Sequence, residues 1–312
     1  MKKVGIIGGA GFIGSYITKE FLENGFTVKV SVTDISKQAK YLHLTELELS
    51  GNLYITEMKV ENKGQLEHFV QDCDIVVHCG TPFQLEVKDP QAELFEPIVK
   101  GTENFLEVIN KTLSVEKVVI VASVASYNSN FPMPPDGKLP EESFDESQEK
   151  FISTDSHPYG QAKYMANQVV DKFIKENKSL HFEISTVSPV MVFGKSLSGR
   201  EDSTSTGMQY FIQKMIAPNE SIKFFYKIDA FFAIVDVKDV AKAVYKAAIT
   251  KGLHGKNYLL SSETWRVSDV NRMLNLMEPL HKPLIVYQNK MAEEDLGVAF
   301  KPVKQTLFNY VI

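Results

Sequence analysis

Three side chains that could exchange a proton with a carbonyl or alcohol oxygen occur in the order Ser123, Tyr159 and Lys163. Tyr159 and Lys163 are four residues apart, so a helix would place them on one face, about one turn apart. A phenol titrates near ~10, and a nearby ammonium lowers that pKa. Ser123 ends the strand-like run VVIVAS and could hold the same oxygen, with Ser126 as a competing hydroxyl. The three residues predict carbonyl reduction or alcohol oxidation with a nicotinamide.

The elements that must position these residues follow from an alternation of two patterns. Short β-branched runs alternate with segments whose apolar residues recur at spacings of three and four. Strand and helix repeated in this way predict a parallel sheet covered on both faces. The strand-like runs are KVGIIG, TVKVSV, LYITEM, DIVVHC, KVVIVAS and FEISTVSP.

The regular alternation of strand and helix patterns is lost after residue 188, which predicts a second lobe. We expect a dinucleotide-binding lobe over 1–188, to which 232–261 return, and a smaller lobe made of 189–231 and 262–312. A proline-rich acidic stretch, NFPMPPDGKLPEESFDESQEKF, separates the run that ends at Ser123 from the helix that opens at Pro158. Its composition predicts a long surface excursion.

Glycines follow the first strand-like run. The segment GIIGGAGFIGSYI places Gly8, Gly11 and Gly14 at three-residue spacing. One glycine permits the tight turn, one lets the backbone approach a pyrophosphate, and one lets the new helix pack close to the sheet. The position of the motif, after a strand and before a periodic helix, predicts a dinucleotide site.

Taken in order, Gly8-x-x-Gly11-x-x-Gly14, Ser123 and Tyr159-x-x-x-Lys163 resemble the extended short-chain dehydrogenases/reductases of the NAD-dependent epimerase/dehydratase superfamily. This resemblance covers nearly the whole chain and implies a Rossmann-type, doubly wound parallel sheet with a smaller C-terminal substrate-binding lobe. The segments VVHCGTPF, EPIVKGTENFLEV and LGVAFKP are similar to the branch of dihydroflavonol reductases, cinnamoyl-CoA reductases and 3β-hydroxysteroid dehydrogenases. The cinnamoyl-CoA reductase signature around the tyrosine is absent, since this chain reads DSHPYGQAK, which argues against a CoA-ester substrate.

The resemblance implies a role for each matching residue. Ser123, Tyr159 and Lys163 would be the catalytic triad, and Lys163 would also bond the nicotinamide ribose. Around the cofactor we expect Gly8, Gly11, Phe12, Ile13, Gly14, Thr33, Asp34, Lys40, Gly80, Thr81, Pro189 and Val192. Around the substrate we expect Phe83, Gln84, Tyr127, Phe193 and Lys195.

The segment VKVSVTDISKQAK bears on the choice of dinucleotide. The place where many NAD-binding relatives carry an acid falls on Val32, and the arginine of the plant reductases falls on Thr33. Without an early acid, the 2′-phosphate of NADP meets no repulsion, while Lys37, Lys40 and the Thr33 hydroxyl offer partial replacements for the arginine. We therefore expect NADP(H) to be preferred, with NAD(H) as the alternative.

Two other functions stay open. A nucleotide-sugar epimerase shares the motifs, whereas a dehydratase is disfavoured because Val124 and Ala125 stand where an acidic pair is needed. A dinucleotide-sensing regulatory protein on the same fold would typically lack the tyrosine or the lysine, and both are present here.

Composition and charge limit the kinds of partner that this chain could bind. The net charge of −5 and the absence of a basic block argue against nucleic acid, and no apolar run is long enough for a membrane span. The histidines, His78 and His157 among them, show no metal-ligand spacing, so we expect no metal. Two cysteines make a disulfide framework improbable, and the cytoplasm is the expected location. We expect a small-molecule carbonyl substrate, and the resemblance implies a homodimer.

Overall fold

The computed structural model describes residues 1–80, 88–199 and 203–310, and Thr81, Phe83 and Gln84 therefore lie outside the described residues. The strands are β1 (Lys3–Ile7), β2 (Thr27–Val32), β3 (Leu53–Glu57), β4 (Ile75–His78), β5 (Lys117–Val121), β6 (Glu183–Pro189), β7 (Met191–Phe193), β8 (Phe231–Asp236), β9 (Asn257–Leu260) and β10 (Glu263–Arg266). The α-helices are α1 (Phe12–Glu23), α2 (Leu42–Thr45), α3 (Lys63–Val70), α4 (Glu96–Lys111), α5 (Pro158–Glu176), α6 (Thr204–Lys214), α7 (Glu220–Lys227), α8 (Val237–Ile249), α9 (Val267–Leu274), α10 (Lys290–Leu296) and α11 (Val303–Phe308).

Seven strands form one sheet in the order β3-β2-β1-β4-β5-β6-β9. Every neighbouring pair in this sheet is parallel. The order reverses between β1 and β4, which is the switch point where ligands bind in such sheets. The six strands expected from the β-branched runs are confirmed, and so is the doubly wound parallel sheet.

Both faces of the sheet are covered because its central strands are apolar on both sides. On one face, Ile17 and Phe21 of α1 and Val240 of α8 share a core with Val119 of β5. On the other face, side chains of α3, α4 and α5 pack with Val118, the next residue along β5. Alternation along β5 therefore sends consecutive valines into opposite cores.

A second sheet of three strands, in the order β10-β8-β7, lies beside the first. Strands β8 and β10 are antiparallel, while β7 and β8 are parallel. Of the segment 232–261, β9 joins the main sheet through β6 and α8 packs in the core of α1, whereas β8 belongs to the small sheet. β8 thus pairs within the second sheet, although its Ala233 and Val235 are buried in the same core as α1 and α8. The division into lobes stays a prediction.

Residues 127–157, here called the connecting segment, run from the end of β5 to the start of α5. Backbone hydrogen bonds join the middle of the segment to the body of the protein and join its two ends to each other. Phe144 donates its N–H to the Val286 carbonyl at 2.7 Å and accepts from the Gln288 N–H at 2.8 Å. Nearer to β5, the Ser129 N–H donates to the Phe151 carbonyl at 3.1 Å. The proline-rich excursion expected from the sequence is therefore ordered by backbone hydrogen bonds.

Candidate active site

Tyr159 and Lys163 lie on the first two turns of α5, as the spacing predicts. The helix begins at Pro158, whose fixed φ suits the first helical position. His157 caps it, and its Nδ1 accepts a hydrogen bond from the Tyr159 N–H at 3.2 Å. The Lys163 Nζ lies 5.7 Å from the centre of the Tyr159 ring. The cap and the proline thus fix the start of the helix at the residue before the tyrosine.

Ser123 stands at the carboxyl end of β5, two residues beyond the last strand residue. Its Oγ accepts the Ala125 N–H at 3.2 Å and caps a short 3-10 turn. The same side chain is hydrogen-bonded to the side chain of Tyr159. Ser126, the competing hydroxyl, is fully buried and donates its O–H to the Ser123 carbonyl at 2.7 Å. The structure therefore brings Ser123 rather than Ser126 to the tyrosine.

Burial dominates the electrostatics of the pair on α5. It raises the pKa of the Tyr159 phenol well above its ordinary value, and the hydrogen bond to Ser123 lowers it only in part. Burial also lowers the pKa of Lys163 to about 8. The expected lowering of the phenol pKa by the Lys163 ammonium is not among the causes of the shift at Tyr159, where burial dominates. Tyr159 is consequently protonated at neutral pH.

His78 and Cys79 at the end of β4 lie on the other side of the lysine. Burial and the charge of Lys163 lower the pKa of His78 to about 4, so the imidazole is neutral. Its ring packs edge-on against Phe105, with centres 4.7 Å apart. Burial raises the pKa of the Cys79 thiol to about 12. Both residues are packing groups that surround the amine.

The glycine motif forms a close approach between two strand ends. Gly8 has a φ of +77°, and a Cβ there would lie 2.6 Å from the Cα of Gly80 at the end of β4. A Cβ on Gly14 would lie 2.1 Å from the Gly8 carbonyl oxygen. Gly11 caps α1 and supplies no side chain to its first N–H groups, and Phe12 and Ile13 form the first turn. These N–H groups suit a pyrophosphate, so the residues present fit a dinucleotide.

The four strand ends that carry expected site residues meet at one edge. Gly8, Gly80, Ser123 and Pro189 follow or end β1, β4, β5 and β6, which are neighbours and parallel. Val192, on β7, is buried in the same core as the residues of β1 and β2. The carboxyl edge of the sheet is thus the place where a dinucleotide and a substrate could meet.

In the segment after β2, neighbouring residues form hydrogen bonds and an ion pair with Asp34. The Asp34 carboxylate accepts the Ser36 N–H at 3.0 Å and the Ser36 hydroxyl at 2.6 Å, and Lys37 lies 3.5 Å away. These hydrogen bonds, with the charge of Lys37, lower the pKa of Asp34. Thr33 and Lys40 are exposed on the same segment. Asp34 is therefore held within its own turn, and a second acid, Glu57 at the end of β3, lies beside this segment and accepts the Ile35 N–H at 3.1 Å.

The expected substrate residues separate into three groups. Phe83 and Gln84 lie outside the described residues. Tyr127 and Phe193 lie in the interior: the Tyr127 hydroxyl donates to the Asn257 carbonyl at 3.1 Å, and Phe193 is 1% exposed in the core of the small sheet. Their interior positions do not support a contact with substrate. Lys195 is exposed, and its carbonyl accepts the Tyr16 hydroxyl at 2.8 Å.

Two relationships went unnoticed in the sequence. A Cβ on Gly160 would lie 2.4 Å from the Ser129 carbonyl oxygen, so the helix that carries Tyr159 touches the connecting segment. The hydrogen bond from Tyr16 ties the dinucleotide-loop helix to the segment after β7. The glycine directly after Tyr159 was a sequence signal for the contact with Ser129. No pattern in the neighbouring sequence predicts the hydrogen bond between Tyr16 and Lys195.

Acids that open α8 have a structural role, as expected. Asp236 caps the helix by accepting the Lys238 N–H at 2.7 Å, and Asp239 lies in the first turn. Within residues 1–80, 88–199 and 203–310 there is no cluster of three or more potential metal ligands. In the same ranges, no helix is long and apolar enough to pass through a bilayer.

Comparison with known proteins gives consistent results. The family described as NAD dependent epimerase/dehydratase matches residues 4–261. A cinnamoyl-CoA reductase of Medicago truncatula is 30% identical over 320 residues, covering 97% of this chain and 92% of that protein. An anthocyanidin reductase of Vitis vinifera is 26% identical over 318 residues, covering 95% and 90%. The yeast methylglyoxal/isovaleraldehyde reductase Gre2, complexed with NADPH, superposes with a TM-score of 0.81 at 25% identity, covering 98% of this chain and 96% of that one.

Proposed function

The chain belongs to the NAD dependent epimerase/dehydratase family, as an extended short-chain dehydrogenase/reductase, and from that premise we propose that it reduces a ketone or aldehyde to an alcohol with NADPH. One observation carries the proposal. The side chains of Ser123 and Tyr159 are hydrogen-bonded at the carboxyl edge of the sheet, with the Lys163 amine 5.7 Å from the tyrosine ring. A carbonyl oxygen placed between these two side chains would accept a hydrogen bond from each hydroxyl.

The protonation states suit the reductive direction. A raised phenol pKa keeps the proton on Tyr159 at neutral pH, which is the form that can donate it to a carbonyl oxygen. The Ser123 hydroxyl holds the same oxygen and orients the carbonyl group. When bound, the nicotinamide supplies the hydride that the carbonyl carbon requires.

Lys163 stabilises the form of Tyr159 that remains after the proton has been transferred. Once Tyr159 has lost its proton, the phenolate is an anion in a largely dehydrated site. The ammonium of Lys163 stabilises that anion; before the transfer, burial lowers the pKa of the lysine to about 8, so the ammonium is the predominant form at neutral pH. The lysine would also bond the nicotinamide ribose, as the family pattern implies.

Cofactor preference is argued from the segment after β2. The Asp34 carboxylate is hydrogen-bonded to Ser36 and paired with Lys37. Its charge is therefore partly compensated, and its oxygens face the residues of its own turn. The Thr33 hydroxyl and the Lys40 amine are exposed there, where a 2′-phosphate would need donors. We assign the preference to NADPH, which is also the dinucleotide bound to Gre2.

The substrate is proposed only as a class. Lys195 is the expected substrate residue that is exposed among those described, and it follows β7 beside the carboxyl edge of the sheet. Residues 189–231 and 262–312 would supply the substrate-facing side. The relative in Medicago truncatula acts on a CoA ester by its name. We propose a ketone or aldehyde without CoA, because DSHPYGQAK departs from the cinnamoyl-CoA reductase signature around the tyrosine.

A panel of aldehydes and ketones tests the proposal through oxidation of NADPH. In Tyr159→Phe we expect kcat to fall by about 100-fold or more, which is the usual contribution of a positioned general acid. Tyr164→Phe, one residue beyond Lys163 on the same helix, is the matched control and should retain full activity. Both variants should bind NADPH as tightly as the wild type.

Two outcomes would point elsewhere. Turnover of a nucleotide sugar without added dinucleotide, abolished by Tyr159→Phe, would favour an epimerase. Tight binding of NADPH with no turnover over the whole panel, and no effect of Tyr159→Phe, would favour a dinucleotide sensor.

A further inference from the structure

Four polar side chains form a hydrogen-bonded column that leads from the interior of the main sheet to the surface beside α5. Asn167, four residues after Lys163 on the same face of the helix, is 3% exposed. Its amide is bonded to Asn257, the first residue of β9, and to Asp171, one turn further along α5. The fourth member is Ser188 of β6, which is fully buried. We call Ser188, Asn257, Asn167 and Asp171 the polar column.

The acid at the surface end determines the direction of the hydrogen bonds in the polar column. The Asp171 carboxylate pairs with Lys150 at 2.7 Å and can only accept hydrogen bonds. Asn167 therefore turns its NH₂ group to Asp171, at 2.9 Å, and its oxygen to Asn257. The Asn257 NH₂ group donates to that oxygen at 3.0 Å, and the Asn257 oxygen accepts the Ser188 hydroxyl at 2.9 Å. Each amide in the column thus has a single orientation.

On one side, Asn257 is joined to the helix that carries the proposed proton donor. Asn167 is one turn beyond Lys163, and a helix is rigid over so short a distance. A cavity of about 40 Å³ is lined by Lys163, Asn167 and Thr186, and Thr186 of β6 is paired directly with Asn257. The hydrogen bond between Asn257 and Asn167 therefore joins the helix to the sheet beside a space that side chains do not fill.

On the other side, Asn257 is joined to the turn that begins at Ser123. The Asn257 carbonyl accepts the hydroxyl of Tyr127, the residue that ends this turn, at 3.1 Å. Ser188 Oγ, which donates to Asn257, lies 3.4 Å from Ser126 Oγ. The Ser126 hydroxyl in turn donates to the Ser123 carbonyl at 2.7 Å. One side chain from β9 is thus linked to both elements that must bring Ser123 and the tyrosine together.

We propose that Asn257 is a positioning residue, which holds α5 against the strand ends and thereby sets the separation of the Ser123 and Tyr159 hydroxyls. This inference rests on the proposed function, because that separation matters only for the carbonyl oxygen held between the two groups. The hydrogen bonds of Asn257 go to Asn167, Ser188 and Tyr127. Asn257 acts through these residues and not on the carbonyl oxygen itself.

Reversing one member of the polar column tests the proposal. In Asn257→Asp a carboxylate faces the Asn167 oxygen, and Asn167 cannot turn because Asp171 still requires its NH₂ group. We expect kcat to fall by about tenfold or more, because a displacement of about 1 Å in a catalytic group costs up to about 100-fold. The Kd for NADPH should change by less than about threefold, since the glycine loop and the segment after β2 belong to other elements.

Reversing both ends should restore activity. In the double variant Asn257→Asp, Asp171→Asn, the Asn167 amide can turn, donate to the new carboxylate and accept from the new amide. We expect its kcat to lie within about threefold of that of Asp171→Asn alone. The charge added at position 257 is present in the single and the double variant, so recovery would exclude an effect of that charge on Lys163. A double variant as slow as Asn257→Asp would overturn the proposal.

Asn177→Asp is the matched control. It makes the same change at the end of the same helix, where the Asn177 amide donates to the Phe173 carbonyl at 2.8 Å. Its kcat should equal that of the wild type. If Asn257→Asp does not fold, Asn257→Ala takes its place, since it removes both side-chain hydrogen bonds without adding a charge.

Crystal structures of the same variants measure the position directly and do not depend on turnover. The hydrogen bond between the Ser123 and Tyr159 side chains should be present in the wild type and the double variant, and broken in Asn257→Asp. An intact hydrogen bond in Asn257→Asp would overturn the proposal even if kcat falls. A wild type that reduces no compound of the carbonyl panel would contradict the proposed function instead, and the crystals would still decide whether Asn257 positions the pair.

Discussion

Gly160, directly after the proposed proton donor, packs against the backbone of Ser129, and a Cβ at this glycine would lie 2.4 Å from the Ser129 carbonyl oxygen. The contact joins α5 to the connecting segment, which begins close to Ser123. The helix can therefore approach the end of β5 closely enough for Tyr159 to bond with Ser123.

Gly160→Ala tests whether this contact positions the tyrosine. In a helix, alanine is more favourable than glycine by about 1 kcal/mol, so a neutral site would gain stability. We expect the opposite: lower stability, and a kcat reduced at least tenfold with the Kd for NADPH unchanged. Gly51→Ala, where a Cβ meets nothing within 4 Å, is the control. Full activity in Gly160→Ala would refute the positioning role.

The pH dependence of kcat/KM follows from Lys163. Its ammonium form predominates below its pKa of about 8 and is lost as the pH rises through that value. Tyr159 keeps its proton over the same range because burial raises its pKa, so it adds no second decline. We expect kcat/KM for NADPH to be level below pH 8 and to fall above it. If Lys163→Arg retains activity, the decline should shift to higher pH; an unshifted profile would assign it to another group.

The segment after β2 predicts a difference between its two lysines. Lys37 is paired with Asp34 at 3.5 Å, whereas Lys40 is the lysine assigned to the 2′-phosphate. Lys40→Ala should raise the Kd for NADPH about tenfold, equivalent to ~1.4 kcal/mol, and leave that for NADH unchanged. Lys37→Ala should change both by less than about threefold, as expected for an exposed pair. Equal losses for the two dinucleotides in Lys40→Ala would contradict the assignment.

Stability of the main sheet should depend on Lys117 at the start of β5. This buried lysine bonds the Glu183 carboxylate and the Thr250 carbonyl, and Glu183 also accepts the Gly252 N–H at 2.9 Å. Lys117→Met would leave these oxygens without their cation. We expect a loss of about 2–3 kcal/mol in urea unfolding, below the full cost for a buried pair because Glu183 is partly exposed. Lys2→Met, which breaks the exposed pair with Glu116, should not move the midpoint.

Local pattern was sufficient for the elements and for part of the site. Apolar runs and helical spacings are properties of consecutive residues, so six of the seven strands of the main sheet and the helix carrying Tyr159 and Lys163 could be predicted. The glycine spacing similarly predicted the contact region of Gly8 and Gly14. The reductase chemistry came from Ser123, Tyr159 and Lys163 and from the family that the order of the motifs resembles, and the NADPH preference came from the segment after β2.

Choices that depend on partners distant in the chain were decided only by the tertiary structure. The sequence favoured Ser123 and left Ser126 as a competing hydroxyl, and in the structure Ser123 is the one that reaches the tyrosine, because the turn after β5 sends Ser126 inward. Tyr127 and Phe193 had plausible chemistry, yet packing buries both. The second sheet arises from pairing between β8 and β10, a contact across about thirty residues. Sequence by itself determined which groups are available for chemistry; packing determined which of them face one another, since burial and pairing are set by the whole fold.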